Sequence, residues 1–317
     1  MIRGLGLVVC AGMLGAMPGG IPGGSAVTAA HAEPAPGLTA GDVAGKTRLS
    51  LRNRDDGVAL ARALAALPEA ASVVELDLGN TKLGDDGARA LAESPHLTAL
   101  ESLRLDENDI GPAGARALVR SKRLAKLVAL DLSINPISDA GVKALTGTPL
   151  AQRLRSLRLD GAQLDTAGVD ALVASRFDKL TELGLADNQF GLAGVQKLAT
   201  ATRMPHLATL VLDGNNLDDA AMRALAGAKS FAHLTSLSLA SNRIAAPGAT
   251  ALAGAKPLAC LVTLNLAYNS LDDAAANALA QTKALTHLEH LDVTGNAVTK
   301  AGAAALRQRF GAGAIGP

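Results

Sequence analysis

The sequence predicts an α/β solenoid, one continuous stack of short strand–helix units, and three observations predict it. The stretch "LTELGLADNQF" (180–190) has leucines at its first, fourth and sixth places, asparagine at the ninth and an apolar residue at the eleventh, and it returns as "LATLVLDGNNL" and "LTSLSLASNRI". Within each copy the apolar period changes from two to the longer period of a helix. The composition is aliphatic, with 49% hydrophobic but only 2% aromatic residues.

Aligned on the first leucine, copies start at Val73, Leu100, Leu127, Leu154, Leu180, Leu207, Leu234, Leu261 and Leu288. The interval is 27 residues except for one of 26 after Leu154, and a degenerate copy precedes them with Leu49 and Leu51 in the strand places. Such periodicity means stacked repeats, not two globular domains.

Each element of the unit follows from its residues. Alternation such as Leu183–Leu185 predicts a short strand with one buried face. Columns such as "AGARAL", "AGVKAL", "AGVDAL" and "AAMRAL" predict a short helix, rich in the best helix former and turning Leu118 and its equivalents inward. Small residues at its start let the helix lie close to the strands. Phe177, Met204, Phe231, Leu258 and Leu285 fill the return turn. One such unit cannot bury its apolar face alone; stacked neighbours can. Each buried leucine contributes about 2 kcal/mol.

Between strand and helix the chain turns inward and strands backbone polar groups away from water, where they must be paired. Asn108, Asn135, Asn188, Asn215, Asn242, Asn269 and Asn296 each offer two donors and an acceptor, enough to bridge their own turn and the next. They form a structural ladder, with Thr81 and Ala162 as its gaps.

"LESLRLDENDIGPAGARAL" resembles the leucine-rich repeat, and a strand–helix repeat of 27 residues is similar to the ribonuclease inhibitor-like subclass, which also includes the Ran GTPase-activating proteins. The resemblance covers about residues 46–310. It implies a right-handed horseshoe, with parallel strands on the concave side and short helices on the convex side. The chain departs from the ribonuclease inhibitors in lacking their cysteines and in its single repeat length. Such a resemblance carries a fold and no partner.

The N-terminus reads differently. Met1-Ile2-Arg3, the apolar stretch "GLGLVVCAGMLGAM" and Ala30-His31-Ala32 match a secretory signal peptide over residues 1–32. The expected organisation is this leader, a flexible segment 33–45, a degenerate capping repeat 46–72, nine repeats over 73–310 and a Gly-rich tail 311–317. Cleavage near Ala32 would place the mature chain outside the cytoplasm, periplasmic or secreted. It would leave 29 basic and 29 acidic side chains, a balance giving no general reason to expect nucleic acid or an anionic membrane. Cys260 would be its one cysteine, so stability is expected from the aliphatic core.

Residues flanking the inward leucines point to the concave surface. One column reads Asp77, Arg104, Asp131, Arg158, Gly184, Val211, Ser238, Asn265, Asp292. With strands ~4.8 Å apart, its first four members are expected to form an alternating ion ladder. Asp213 and further acids tilt this half negative. The later half is small and neutral around Tyr268, the chain's only tyrosine. A second column, Lys126, Arg153, Lys179, His206, His233, Cys260, His287, stacks at strand spacing, which does not converge ligands on one ion.

No nucleophile elbow, phosphate-binding loop or zinc-protease motif occurs. Carboxylate pairs such as Asp85-Asp86 and Asp218-Asp219 stand where helix capping explains them. The expectation is therefore a non-enzymatic scaffold without cofactor, metal or small-molecule substrate. It would bind a protein partner through concave residues Asp77, Arg104, Asp131, Arg158, Asp213 and Tyr268. Two rivals are a GTPase regulator, suggested by the resemblance, and an exported virulence factor acting on a host protein.

Overall fold

The computed structural model describes residues 37–311. The expected leader over 1–32 and most of the tail lie outside them. Ten three-residue strands alternate with helices: β1 (Arg48–Ser50), β2 (Glu75–Asp77), β3 (Ser102–Arg104), β4 (Ala129–Asp131), β5 (Ser156–Arg158), β6 (Glu182–Gly184), β7 (Thr209–Val211), β8 (Ser236–Ser238), β9 (Thr263–Asn265) and β10 (His290–Asp292). The helices are α1 (Ala40–Val43), α2 (Gly57–Ala66), α3 (Gly84–Glu93), α4 (Pro112–Val119), α5 (Ser138–Lys143), α6 (Pro149–Arg153), α7 (Thr166–Ala174), α8 (Gly191–Leu198), α9 (Asp219–Ala226), α10 (Ala246–Ala253), α11 (Asp273–Ala280) and α12 (Lys300–Phe310). No helix among the described residues is long and apolar enough to cross a membrane.

The strands make one open parallel sheet in sequence order, β1 to β10. Every pairing joins equivalent places, Leu76 with Leu103, Leu103 with Leu130, and so on to Leu264 with Leu291. The columns read from the sequence are therefore physical rows across the sheet. β1, in the degenerate copy, pairs with β2 in the same register, Leu49 opposite Leu76. Beneath the sheet runs a single aliphatic core in which the strand leucines are essentially inaccessible to water. Phe177 and Phe231 are its largest fully buried members, with Phe190 almost as enclosed.

Five of the seven asparagines are buried, Asn269 and Asn296 being half-buried, and their side chains reach backwards. Asn135 Nδ2 donates to Leu132 O and Ser133 O in its own turn and to Leu105 O of the preceding unit at 2.8 Å. Its Oδ1 accepts from Asn108 N and Ile110 N, again in the preceding unit. The bridge thus runs to the previous turn, not the next. The buried Asn108 and Ile110 N–H groups need an acceptor, and the carboxamide of the following unit supplies it. Thr81 fills its gap by donating to Asn108 Oδ1 at 2.8 Å. Asn215 is the exception: its Nδ2 is bonded to Leu185 O and Asp213 O, yet its buried Oδ1 has no hydrogen-bond partner.

The capping acids also act between units. Asp218 caps its own helix through Ala221 N, at 2.9 Å. Its neighbour Asp219 instead accepts from Ala245 N and Gly248 N at the start of the following helix, both at 2.9 Å. Asp85 does the same for Gly111 N and Gly114 N, and Asp273 for Thr299 N. Glycine is needed on the receiving helix: a Cβ at Gly114 or Gly248 would lie 2.6 or 2.5 Å from the incoming Oδ1.

Candidate interaction surface

Three places after each strand, and just before the asparagine place, stands a residue with left-handed backbone: Asn53, Asn80, Glu107, Ile134, Gly161, Asp187, Gly214, Ser241, Tyr268 and Gly295, with φ between 52° and 69°. These residues form the rim where the sheet gives way to the turns. Most are small, polar or glycine, which tolerate this region. Ile134 and Tyr268 do not fit that preference, and among the described residues they are the large hydrophobic side chains most exposed to water, at 58% and 64%. The Tyr268 ring lies over Gly295, where a Cβ would come within 2.4 Å of Cδ1.

On the sheet itself, the register sets Asp77 beside Arg104, Arg104 beside Asp131, and Asp131 beside Arg158. The ion ladder expected from that order does not form. Asp77 is held by Arg52, at 3.0 Å, and the same guanidinium grips Asp106 at 2.7 and 2.9 Å. Arg158 turns along its own strand to Asp160, at 2.7 and 3.0 Å. The acids two places further on win because they are more enclosed. Asp160 is only 8% exposed, and a carboxylate there requires a cation and donors. Arg104 remains exposed, with no ion pair among the described residues.

The electrostatics follow the packing. Burial works against the Arg158 charge, and the Asp160 hydrogen bond and charge outweigh it, raising the guanidinium above its ordinary range. Arg52 is held higher still, chiefly by its hydrogen bonds to Asp106. Among the described residues Asp213 is in no ion pair. Burial pushes its carboxyl up, Ser238 Oγ at 2.6 Å and Ala240 N at 2.7 Å pull it down, and the charges of Asp160 and Asp187 add to the rise. Asp131 accepts only from Ser133 N, at 3.0 Å.

Of the six expected contact residues, Asp77, Arg104, Asp131 and Arg158 share one row, and Asp213 lies one row nearer the rim. Tyr268 is not on the sheet: it follows β9 by three residues and stands on the rim. Sequence reasoning missed Arg52, whose unit is degenerate, and Ile134. The signal for Ile134 was present, because it occupies the same place in its unit as Tyr268. Of the edge column, Arg153 is committed to the backbone carbonyls of Leu127 and Leu124, and His287 Nδ1 lies 2.9 Å from Ala259 O. Among the described residues no three His, Cys, Asp or Glu side chains converge on a metal position.

A family profile described as Leucine Rich repeat matches at residues 70–92, 96–119, 123–145, 179–199, 203–226, 232–253, 258–280 and 284–306. The gap falls on the unit beginning at Leu154, the one with the shortened interval and with Ala162 in the asparagine place. Comparison with curated proteins gives no match. Among solved structures the chain is similar to the crystal structure of an internalin C2 from Listeria monocytogenes, at 22% identity and a TM-score of 0.43, over 80% of this chain and 89% of that one.

Proposed function

Because the chain belongs to the leucine-rich repeat family, whose repeats are scaffolds typical of protein–protein interaction, we propose that it binds a protein partner across its sheet face and outside the cytoplasm. The uniform strand–helix repeat supports placing it in the ribonuclease inhibitor-like subclass. The observation that carries the reading is the unspent chemistry of the sheet. Among the described residues Arg104 is exposed without an ion pair, Asp131 and Asp213 are in none, and Tyr268 offers an aromatic ring at the rim. A rigid parallel sheet holds these groups in place at low entropic cost, and tyrosine and arginine are favoured interface anchors. Asp77 and Arg158 frame the surface but are already engaged, so they contribute orientation more than new contacts.

Nothing in the residues supports a catalytic role, and the reading is of a non-enzymatic scaffold. Its secretion rests on the sequence of residues 1–32 alone. The test begins with a pull-down, using the chain from Glu33 onward, from the source cell's envelope fraction and from host lysate. With a partner in hand, Arg104→Glu and Tyr268→Ala should weaken binding, while Arg89→Glu and Arg116→Glu on the helix side should not. If reversal on the helices abolishes binding and the sheet variants leave it intact, the face is wrongly assigned.

A further inference from the structure

The near-neutral composition conceals a local excess. Residues 110–159 hold nine lysines and arginines against two acids, Asp131 and Asp139. Asp131 belongs to the sheet, and Asp139 is occupied by Asp165 N at the next helix. Arg120, Lys122, Arg123 and Lys126 lie together in the turn between α4 and β4, all exposed and none ion-paired among the described residues.

Two hollows of about 470 Å³ each open at this turn. The first is bordered by Glu93, Arg120, Lys122 and Arg123; the second by Arg120, Lys122, Thr148 and Arg153. They share Arg120, Ser121 and Lys122, so they are two halves of one groove across successive units. The second half exists because this unit is reshaped. Its helix α5 ends at Lys143, and the chain loops through Gly147 (φ 74°) before restarting as α6. The floor is ordered: Ser121 Oγ donates to Ala92 O and accepts from Arg123 N and Leu124 N.

Four cations held this close repel one another at physiological salt, where the screening length is about 8 Å, and an anionic ligand relieves them. The surroundings narrow the ligand's class. The exposed large apolar side chains, Ile134 and Tyr268, stand in turns that follow strands, whereas this turn precedes one, so no insertion anchor for a bilayer accompanies the charges. No aromatic ring borders either hollow on which a base could stack. Units in the stack are spaced between ~4.8 Å, the strand separation, and ~8–10 Å, the helix separation. Alternate residues of an extended peptide recur at about 6.6–6.8 Å, within that interval. Glu93 on the outer wall disfavours a densely sulfated chain and tolerates spaced carboxylates.

We propose that this groove is a second binding site, separate from the sheet face, for an extended acidic peptide whose alternate Asp or Glu side chains enter the two hollows on either side of Arg120. Carboxylates suit the arginines there through paired hydrogen bonds.

The test uses the full chain and a fluorescent ten-residue peptide alternating Asp with Ser, read by anisotropy at low and physiological salt. Arg120→Glu with Lys122→Glu should weaken binding by at least about tenfold, equivalent to 1.4 kcal/mol, while Arg104→Glu leaves it unchanged. These side chains are exposed, and unaltered thermal melting of the double variant will show that the fold is kept. Three results would each overturn the proposal: equal affinity in the double variant, equal affinity for a peptide with its aspartates in one block, or tighter binding to a sulfated polysaccharide or phosphatidylglycerol vesicles.

Discussion

Asp219 caps the helix after its own: its Oδ1 accepts from Gly248 N at 2.9 Å, one unit away. The contact links two helices through a carboxylate and a missing Cβ, so either side can break it. Gly248→Ala would drive a methyl to 2.5 Å from that oxygen and should cost about 1–3 kcal/mol, through overpacking and a lost cap. Asp219→Ala should cost less, about 0.5–2 kcal/mol. Urea melts of both variants give the ranking, and faster exchange of the Gly248 amide locates the damage. Equal stability of Gly248→Ala and parent would remove the inter-unit cap.

The asparagine ladder predicts an inequality. Asn242 accepts from Asn215 N and Leu217 N and donates to Leu212 O, Leu239 O and Ala240 O, whereas the Asn215 Oδ1 has no partner. Asn242→Ala should therefore cost more than Asn215→Ala, with each lost buried pairing costing about 1–3 kcal/mol. Chemical denaturation of the two variants decides it; a larger loss at position 215 would mean that its oxygen is in fact bonded.

Arg52 is the rivet of the β1 end of the sheet, tying its unit to Asp77 one unit on and to Asp106 two units on. Arg52→Ala should loosen β1 and α2 before the rest of the stack, at about 1–2 kcal/mol for charged hydrogen bonds that water partly screens. Limited proteolysis should then cut between residues 46 and 72 first. Cleavage spread evenly along the chain would contradict this.

Asp213 sets a pH dependence. Burial raises its folded pKa above the unfolded value, so the folded state binds the proton more tightly. The stability cost of its charge is present above the raised folded pKa and is relieved as pH falls toward the ordinary carboxyl range. Asp213→Asn keeps an oxygen for Ser238 and Ala240 and removes the charge. It should stabilise the protein at pH 7, with the gain shrinking near pH 4. Melts at the two pH values test the sign; a gain that grows on acidification would refute it.

The fold was legible because its rules are periodic. One leucine template fixed strand, core and register, and the columns drawn from it match the pairing from Arg48 through Asp292. Partner choice among charges was not legible. Arg104 and Asp131 stand side by side, yet arginines reach across rows and settle on the most enclosed carboxylates, so burial decides and adjacency does not. The backward reach of Asn135 and the forward reach of Asp85 are likewise contacts between neighbouring units, whose direction a column of like residues does not reveal. Ile134 shares its place with Tyr268, yet an apolar residue in an apolar-rich unit reads as core until its backbone is known to be left-handed.

The stitching by capping acids is uneven, and that gives the stack a grain. Asp85, Asp139, Asp219 and Asp273 fasten α3 to α4, α5 to α7, α9 to α10 and α11 to α12. Helix α8 has no side-chain cap of its own, receives none of these four carboxylates and offers none onward. Unsewn seams also fall between α4 and α5 and between α10 and α11, but α8 is unsewn on both sides and is tied to α7 by the Lys197–Asp170 ion pair instead. Under tension, or on partial loss of structure, the coil should part first beside α8, on its α9 side, releasing still-wound segments rather than unravelling from an end.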